Sequence, residues 1–264
     1  MRTIAITNLK GGCGKTTTSV NLAAALALKG YRTLLIDLDP QGHATLGFGV
    51  IPENQKYTVY DVIVHRKLPL PKALVQTNIA NLLLAPSNVL LSGAEAALMG
   101  MENREHVLLN RLQRYERFFD YCIIDCSPSL SLLTLNALDA ATEVIIPMQT
   151  HYYSIEGLKQ VMETLSIVQK RFNPLLGIRG ILLTLAEQGT VLSRDVEQQM
   201  REHFGELVLE TVIHRNIRLA EAPGAGESIM TFDKNNSGAK EYQQLAEEIC
   251  YEKIRLTQTD FVHI

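Results

Sequence analysis

The sequence of 264 residues contains no tryptophan, only four cysteines and no long apolar run. No apolar stretch approaches the roughly 20 residues that a membrane-spanning helix needs, and the first residues do not follow the pattern of a secretion signal. The cysteines form no C-x-x-C pair and no zinc-like spacing with histidine. We therefore expect a cytoplasmic protein that has no stable membrane insertion and no zinc site.

Positive charge is not in excess either, because 25 Lys and Arg residues face 28 Asp and Glu residues, for a net charge of −3. No global field attracts nucleic acid or anionic lipid, so binding to either needs a local patch. Hydrophobic residues make up 46% of the chain, enough for a sizeable core. Because no linker or repeat divides it, we expect a single domain over residues 1–264, with a loosely ordered tail at 255–264.

Strand and helix patterns alternate along the chain. Apolar strands are predicted at residues 3–7, 33–37, 81–85, 121–125, 143–147, 178–185 and 208–213. Helices are predicted at residues 16–28, 59–64, 103–117, 131–141, 154–172, 192–204 and 238–254. Near-continuous apolar strands separated by helices are typical of an α/β fold, with a doubly wound, mostly parallel sheet covered by helices on both faces.

A glycine-rich turn follows the first strand and leads directly into the first helix. Its residues are Lys10, Gly11, Gly12, Cys13, Gly14, Lys15, Thr16 and Thr17. Such a turn directs backbone N–H groups and the helix dipole toward one point, which favours an anion. Lys15 adds a charge for the outer phosphates, and the Thr16 hydroxyl is placed to ligate magnesium. The turn predicts a nucleoside triphosphate site, although Leu9 replaces the usual first glycine.

Two strands deliver carboxylates to the same predicted edge of the sheet. One leads into Asp37-Leu38-Asp39-Pro40-Gln41-Gly42, and the other into Asp125-Cys126-Ser127-Pro128-Ser129. Magnesium takes oxygen ligands, so Thr16, Asp39 and Asp125 are the predicted metal ligands. Asp39 lies in a turn that can move and is also a candidate for orienting the attacking water. Asp37 is expected to support the metal shell or the loop conformation. The alternative is that these carboxylates only form turns or cap a helix.

Together these segments resemble the deviant P-loop ATPases of the ParA/MinD group. Three further segments narrow the resemblance to the ParA (Soj-like) branch, namely PMQ at 147–149, YYSIEGL at 152–158 and RNIRLAEAP at 215–223. The resemblance extends from Met1 to about Ile254. It implies a P-loop NTPase fold, ATP and Mg²⁺ as cofactors, and an ATPase that turns over slowly without a partner.

The resemblance also implies an ATP-dependent homodimer in which Lys10 reaches the nucleotide of the partner subunit. A second cation there would offset charge on the transferred phosphoryl group. Lys10, Lys15 and Asp39 are thus the expected catalytic residues, and Lys10 joins residues 11–17 in binding the nucleotide. Asn216 aligns with a residue that relatives place near the adenine. A solvated loop lysine and a plain strand-end turn are the respective alternatives at Lys10 and Asn216.

Members of this branch bind double-stranded DNA nonspecifically as ATP dimers, and a ParB partner stimulates their hydrolysis. The candidates for phosphate contacts are Arg194, Arg201, Arg215 and Arg218, with an ordinary solvated surface as the alternative. Relatives often carry an arginine before the helix that begins here near Leu192, but this chain has Glu187-Gln188-Gly189-Thr190. We expect a chromosome or plasmid partition protein with a ParB-like partner, associated with the nucleoid when it binds DNA.

Three other functions stay open at this point. A MinD-like membrane cycle needs a basic amphipathic C-terminal helix, but residues 251–264 carry only Lys253 and Arg255 as cations. An iron–sulfur carrier needs paired cysteines at a dimer axis, and Cys126 lies beside an apolar strand. A ParA-like positioner of a protein cargo would share all the motifs above. Cys13 is either a reactive thiol in an electropositive loop or a small side chain in a tolerant slot.

Overall fold

The computed structural model describes residues 1–150 and 154–251, with the backbone alone for residues 154–156. Tyr152 and Tyr153 of the family-like segment therefore lie outside the described residues. So do the tail at 255–264, the end of the predicted terminal helix, and the segment on which a MinD-like membrane cycle depends.

Eight strands form one sheet, in the order β3–β4–β2–β5–β1–β6–β7–β8. The strands are β1 (Arg2–Ile6), β2 (Thr33–Leu38), β3 (Val75–Gln76), β4 (Leu82–Ala85), β5 (Tyr121–Cys126), β6 (Glu143–Gln149), β7 (Gly177–Ala186) and β8 (Val208–His214). All neighbours run parallel except the two-residue edge strand β3, which is antiparallel to β4. The predicted α/β fold with a mostly parallel sheet is therefore confirmed.

The helices follow the predicted alternation, with additional short ones. They are α1 (Lys15–Leu28), α2 (His43–Leu46), α3 (Val59–Val64), α4 (Ala94–Leu98), α5 (Val107–Leu112), α6 (Leu132–Ala140), α7 (Ser154–Arg171), α8 (Val191–Phe204), α9 (Ile217–Glu221), α10 (Ile229–Phe232) and α11 (Ser237–Tyr251). The prediction of one continuous helix over residues 103–117 was wrong. Asn103 has a left-handed φ of 56°, and α5 is flanked by 3₁₀ turns at Arg104–His106 and Gln113–Phe118.

Successive residues of a strand point to opposite faces of the sheet, so each strand contributes apolar side chains to the core on both faces. Leu34 and Ile36 of β2 pack on one face, with apolar residues of α3 to α8. Leu35, between them, packs on the other face with apolar residues of α1 and α11. Helices α1 and α11 therefore pack side by side on this face, in contact with each other and with the sheet. No helix among residues 1–150 and 154–251 has the length and apolarity to cross a bilayer.

Hydrogen bonds from Arg2 join β1 to the neighbouring strand β6 and to helix α11. Arg2 contacts the Glu143 carboxylate through two hydrogen bonds of 2.7 and 2.8 Å, and it donates a third, of 2.7 Å, to the Ile249 carbonyl. Glu143 is fully buried, and its Oε2 lies 3.9 Å from Nε of Arg179. This contact lies at the start of β1, and the glycine-rich turn follows the other end of that strand. The contact therefore stabilises the strands from which the turn extends.

We predict that Glu143→Gln lowers the free energy of unfolding by about 3 kcal/mol, because it removes the buried negative charge next to Arg2 and Arg179. Asp120→Asn is the matched control, since Asp120 pairs with the half-exposed Arg32 at 2.8 Å and should cost less than about 1 kcal/mol. Urea denaturation of both variants measures the difference. If both variants lost the same free energy of unfolding, the buried Glu143 carboxylate would contribute no more to stability than the exposed Asp120–Arg32 pair.

Candidate nucleotide-binding site

The loop between β1 and α1 has the backbone geometry of an anion cradle. Gly12 and Gly14 adopt left-handed φ values of 72° and 83°, which side chains with a Cβ rarely tolerate. Helix α1 begins at Lys15, and no side chain caps its first turn. The N–H groups of that turn are therefore left to a ligand, at the positive end of the helix dipole.

Lys15 and Cys13 both fold back on the loop. The Lys15 ammonium donates to the Lys10 carbonyl at 2.8 Å, and the Cys13 thiol lies 3.3 Å from the same oxygen. Cys13 is only 1% exposed, and burial raises the pKa of its thiol. This geometry favours a space-filling role over a reactive thiolate. Lys10 itself is exposed, and among the described residues its ammonium has no hydrogen-bond or ion-pair partner.

Polar side chains from neighbouring strands hold the loop in this shape. Gln149, at the end of β6, donates to the Gly12 carbonyl at 2.6 Å, and Thr184 of β7 donates to the Cys13 carbonyl at 2.9 Å. Asn8 accepts from the Lys10 N–H at 3.0 Å. The sequence analysis did not assign these three roles. Their signal is a polar residue where an apolar strand meets the glycine-rich edge.

Two carboxylates face each other where β2 and β5 end. Asp37 and Asp125 are paired in the strand register, and both are fully buried. Asp37 accepts hydrogen bonds from the N–H and the hydroxyl of Thr45, at 2.8 and 2.7 Å, and from the N–H of Asp39 at 3.1 Å. Both of its oxygens are therefore used to hold the following loop, which was one of the two roles expected for it.

Asp125 keeps one oxygen unmatched. Its Oδ1 accepts a hydrogen bond of 2.8 Å from Ser19, whereas Oδ2 is buried with no hydrogen-bond partner in the described residues. Burial, then the charge of Asp37, raises the pKa of Asp125 to about 8, while the hydrogen bond from Ser19 and the nearby Thr16 hydroxyl lower it. Burial likewise raises the pKa of Asp37 to about 6. A buried, unmatched carboxylate oxygen beside a threonine hydroxyl fits a bound cation.

Asp39 joins this group from the turn after β2. Its Oδ1 accepts from the Gln41 N–H at 2.9 Å, and its carbonyl accepts from the Gly42 N–H at 2.9 Å. Its charge contributes to the raised pKa values of both Asp37 and Asp125, so the three carboxylates are close. In the described part of the chain, however, no group of three His, Cys, Asp or Glu side chains could hold a metal alone. Magnesium would need the Thr16 hydroxyl and phosphate oxygens as well.

Comparison with known proteins decides the family. A family model described as an AAA domain matches residues 1–178. The sporulation initiation inhibitor protein Soj of Bacillus subtilis is 45% identical over 246 residues, which cover 93% of this chain and 97% of Soj. The chromosome partitioning protein ParA of Myxococcus xanthus is 42% identical over 248 residues, 94% and 87% of the two chains. The chain belongs to the Soj/ParA family of partition ATPases.

The fold comparison agrees with the sequence comparison. The crystal structure of cobyrinic acid a,c-diamide synthase from Mycobacterium smegmatis, with bound ADP and magnesium, superposes with a TM-score of 0.83. It is 37% identical, and the match covers 94% of each chain. The identities to Soj and ParA confirm the predicted resemblance to the ParA (Soj-like) branch.

The remaining family-like residue, Asn216, lies at the end of β8, three strands away from β1. Its Oδ1 accepts from the Arg218 N–H at 2.9 Å and so caps α9. Its Nδ2 donates to Asn236 at 2.6 Å and to Ser237 at 2.9 Å. Both ends of the amide are therefore engaged in joining β8 to the start of α11. These contacts show how the Asn216 side chain is held, and its contact with adenine stays a prediction.

Three of the four candidate DNA-binding arginines are paired with acids. Arg215 contacts Glu187 at 2.9 Å, and Arg201 contacts Glu197 and Glu210 at 3.1 and 3.7 Å. These pairs reduce the charge that each arginine presents to a phosphate.

Arg218 is held more closely than either of these. It contacts Glu221 at 2.8 Å and Asp233 at 3.4 Å, and its guanidinium lies over the Phe232 ring at 5.2 Å. Arg194 is exposed on α8, and its guanidinium has no ion pair or hydrogen bond among the described residues. The structure thus does not gather the four arginines into one free basic patch.

We predict that Asp125→Asn stabilises the chain in EDTA at pH 8 by on the order of 2 kcal/mol, because it removes a buried charge. The folded-state pKa of about 8 lies above the ordinary value of 3.8 for an aspartate, so ionisation destabilises the fold progressively between these pH values. Urea denaturation at pH 5 and pH 8 should show that the advantage of the variant grows with pH. An advantage that is constant or shrinks with pH would contradict the prediction.

Proposed function

We propose that this chain is a ParA-type ATPase that positions DNA. Binding of ATP and magnesium promotes a homodimer, the dimer binds double-stranded DNA nonspecifically, and a ParB-like partner stimulates the hydrolysis that releases the DNA. One observation carries the proposal. The P-loop residues Lys15 and Thr16 share a sheet edge with Asp39 and the unmatched oxygen of Asp125. Lys10 is exposed beside them, and its ammonium has no partner within residues 1–150 and 154–251.

Each residue has a distinct part in this proposal. The first-turn N–H groups and Lys15 hold the outer phosphates, and Thr16, Asp125 and Asp39 hold Mg²⁺. The ion supplies charge compensation at the phosphate oxygens. Asp39 orients the attacking water. Its N–H donates to Asp37 and its Oδ1 accepts from the Gln41 N–H, so the turn is held next to the carboxylates.

Lys10 gives the dimer its role in catalysis. An exposed ammonium at the head of the loop is available to a second molecule, whereas Lys15 points back into its own loop. A cation delivered from a partner subunit would stabilise charge that develops on the transferred phosphoryl group. Hydrolysis would then depend on assembly. We further propose that residues 1–264 act as one unit in the cytoplasm, associated with the nucleoid in the DNA-bound state.

The two loop lysines should have separable effects. Lys15→Ala should weaken ATP binding at least about 100-fold, since charge-assisted contacts to phosphate are lost. Lys10→Ala should bind ATP within about threefold of the unaltered chain but fail to dimerise with it. Calorimetry and light scattering measure the two properties, with the exposed Lys72→Ala as control. An ATP-dependent dimer of Lys10→Ala would overturn the assignment in trans.

The role of Asp39 is tested by Asp39→Ala. Turnover should fall at least about 100-fold while ATP binding persists, so the variant should accumulate as an ATP dimer. Asn136→Ala, remote from the P-loop, controls for loss of a buried polar contact. Undiminished hydrolysis by Asp39→Ala would remove the assigned role.

DNA binding is predicted to depend more on Arg194 than on Arg201, because only Arg194 lacks a local acidic partner. With random duplex DNA and ATP, Arg194→Ala should reduce the salt dependence of binding by about two phosphate contacts per dimer, one per subunit. Arg201→Ala on the same helix is the matched control. Arg215→Ala and Arg218→Ala measure whether these two arginines contact DNA once their ion pairs with acidic residues are broken. Gel shifts at several salt concentrations, with ADP as the negative arm, give these slopes. Equal slopes for the Arg194 and Arg201 variants would contradict the prediction.

A further inference from the structure

A concave pocket lies between α3 and α5, and it is separate from the nucleotide site. Its volume is about 640 Å³, within the range of small-molecule sites. Its lining includes three arginines, Arg66, Arg111 and Arg114, and one carboxylate, Glu102. None of its lining residues belongs to the P-loop or to either carboxylate segment.

The position of Arg111 is fixed by backbone contacts. Its guanidinium donates to the carbonyls of Val62, His65 and Arg66, at 3.0, 3.2 and 2.6 Å, around the end of α3. Burial lowers the pKa of Arg111, and the positive charges of Arg114 and Arg66 lower it further. The three guanidinium groups are therefore close enough to repel one another, and the fold holds them together in spite of this.

The other two arginines have no counter-charge in the structure. Arg66 and Arg114 are exposed, and across residues 1–150 and 154–251 neither guanidinium has a hydrogen-bond or ion-pair partner. Glu102 is exposed as well, and within the same ranges no ion pair links it to these arginines. The pocket thus carries three positive charges against one negative charge.

The chemistry of the lining selects the ligand. Guanidinium groups present forked N–H donors that match phosphate oxygens, and an anion would relieve the repulsion among them. The side chains of Asn110 and Gln113 add amide groups to the lining. A concave pocket of this volume suits a compact anion, whereas duplex DNA needs an extended surface. We propose that this pocket binds a small molecule that carries a diphosphate group.

Inorganic pyrophosphate is the probe, and the Lys15→Ala chain is the background, so that the P-loop does not dominate the signal. Calorimetry in EDTA at low salt compares two double variants in that background. Arg66→Gln/Arg114→Gln removes the two unpaired arginines of the pocket. Lys67→Gln/Lys72→Gln removes the same charge from exposed residues that do not line it. Thermal unfolding checks that all three chains fold.

We expect one pyrophosphate per chain in the Lys15→Ala background, at least tenfold weaker binding after the arginine substitutions, and a change below threefold after the lysine substitutions. Equal weakening in both double variants would overturn the proposal, because diffuse surface charge would then account for binding. Absence of pyrophosphate binding in the Lys15→Ala background would also overturn it. Neither result depends on ATP hydrolysis or dimerisation, so the proposed partition function is judged separately.

Discussion

Two carboxylates buried side by side impose the main electrostatic constraint on this fold. Asp37 and Asp125 end neighbouring strands in register and are both removed from water. Like charges so placed are unfavourable unless donors or cations compensate them. The chain satisfies Asp37 through Thr45 and the backbone of Asp39, but it leaves one oxygen of Asp125 without a donor. The edge of the sheet is therefore organised for a cation that the side chains alone do not supply.

The same constraint explains why the P-loop is held so firmly. Its carbonyls are bound by Gln149 from β6 and Thr184 from β7, strands on the side of β1 away from the carboxylates. The loop is fixed from one side and faces the acids on the other. Positioning of this kind orients N–H donors before any ligand arrives, which reduces the reorganisation that binding requires.

The central strands and the P-loop were predictable because their signals are local. Apolar runs that end at Asp37 and Asp125 identify β2 and β5, and the glycine pattern before Lys15 identifies the loop. The short helices α2, α4, α9 and α10 span less than two turns, so no periodic signal develops. The contact of Thr45 with Asp37 joins residues in different elements, and nothing in the local pattern indicates it. Surface ion pairs such as Arg218 with Glu221 also depend on side-chain packing that a sequence does not reveal.

The contact between α1 and α11 has a consequence for synthesis on the ribosome. The Thr18 hydroxyl meets the Tyr242 hydroxyl at 3.3 Å across 224 residues of chain. At a translation rate of about 5–20 residues per second, the surface of the alanine- and leucine-rich helix α1 that contacts α11 stays exposed for roughly 10–45 s before α11 is synthesised. During that interval the nascent chain exposes an apolar surface next to its glycine-rich loop. Packing of the helix that follows the glycine-rich loop is in this way coupled to the arrival of residues translated 224 positions later.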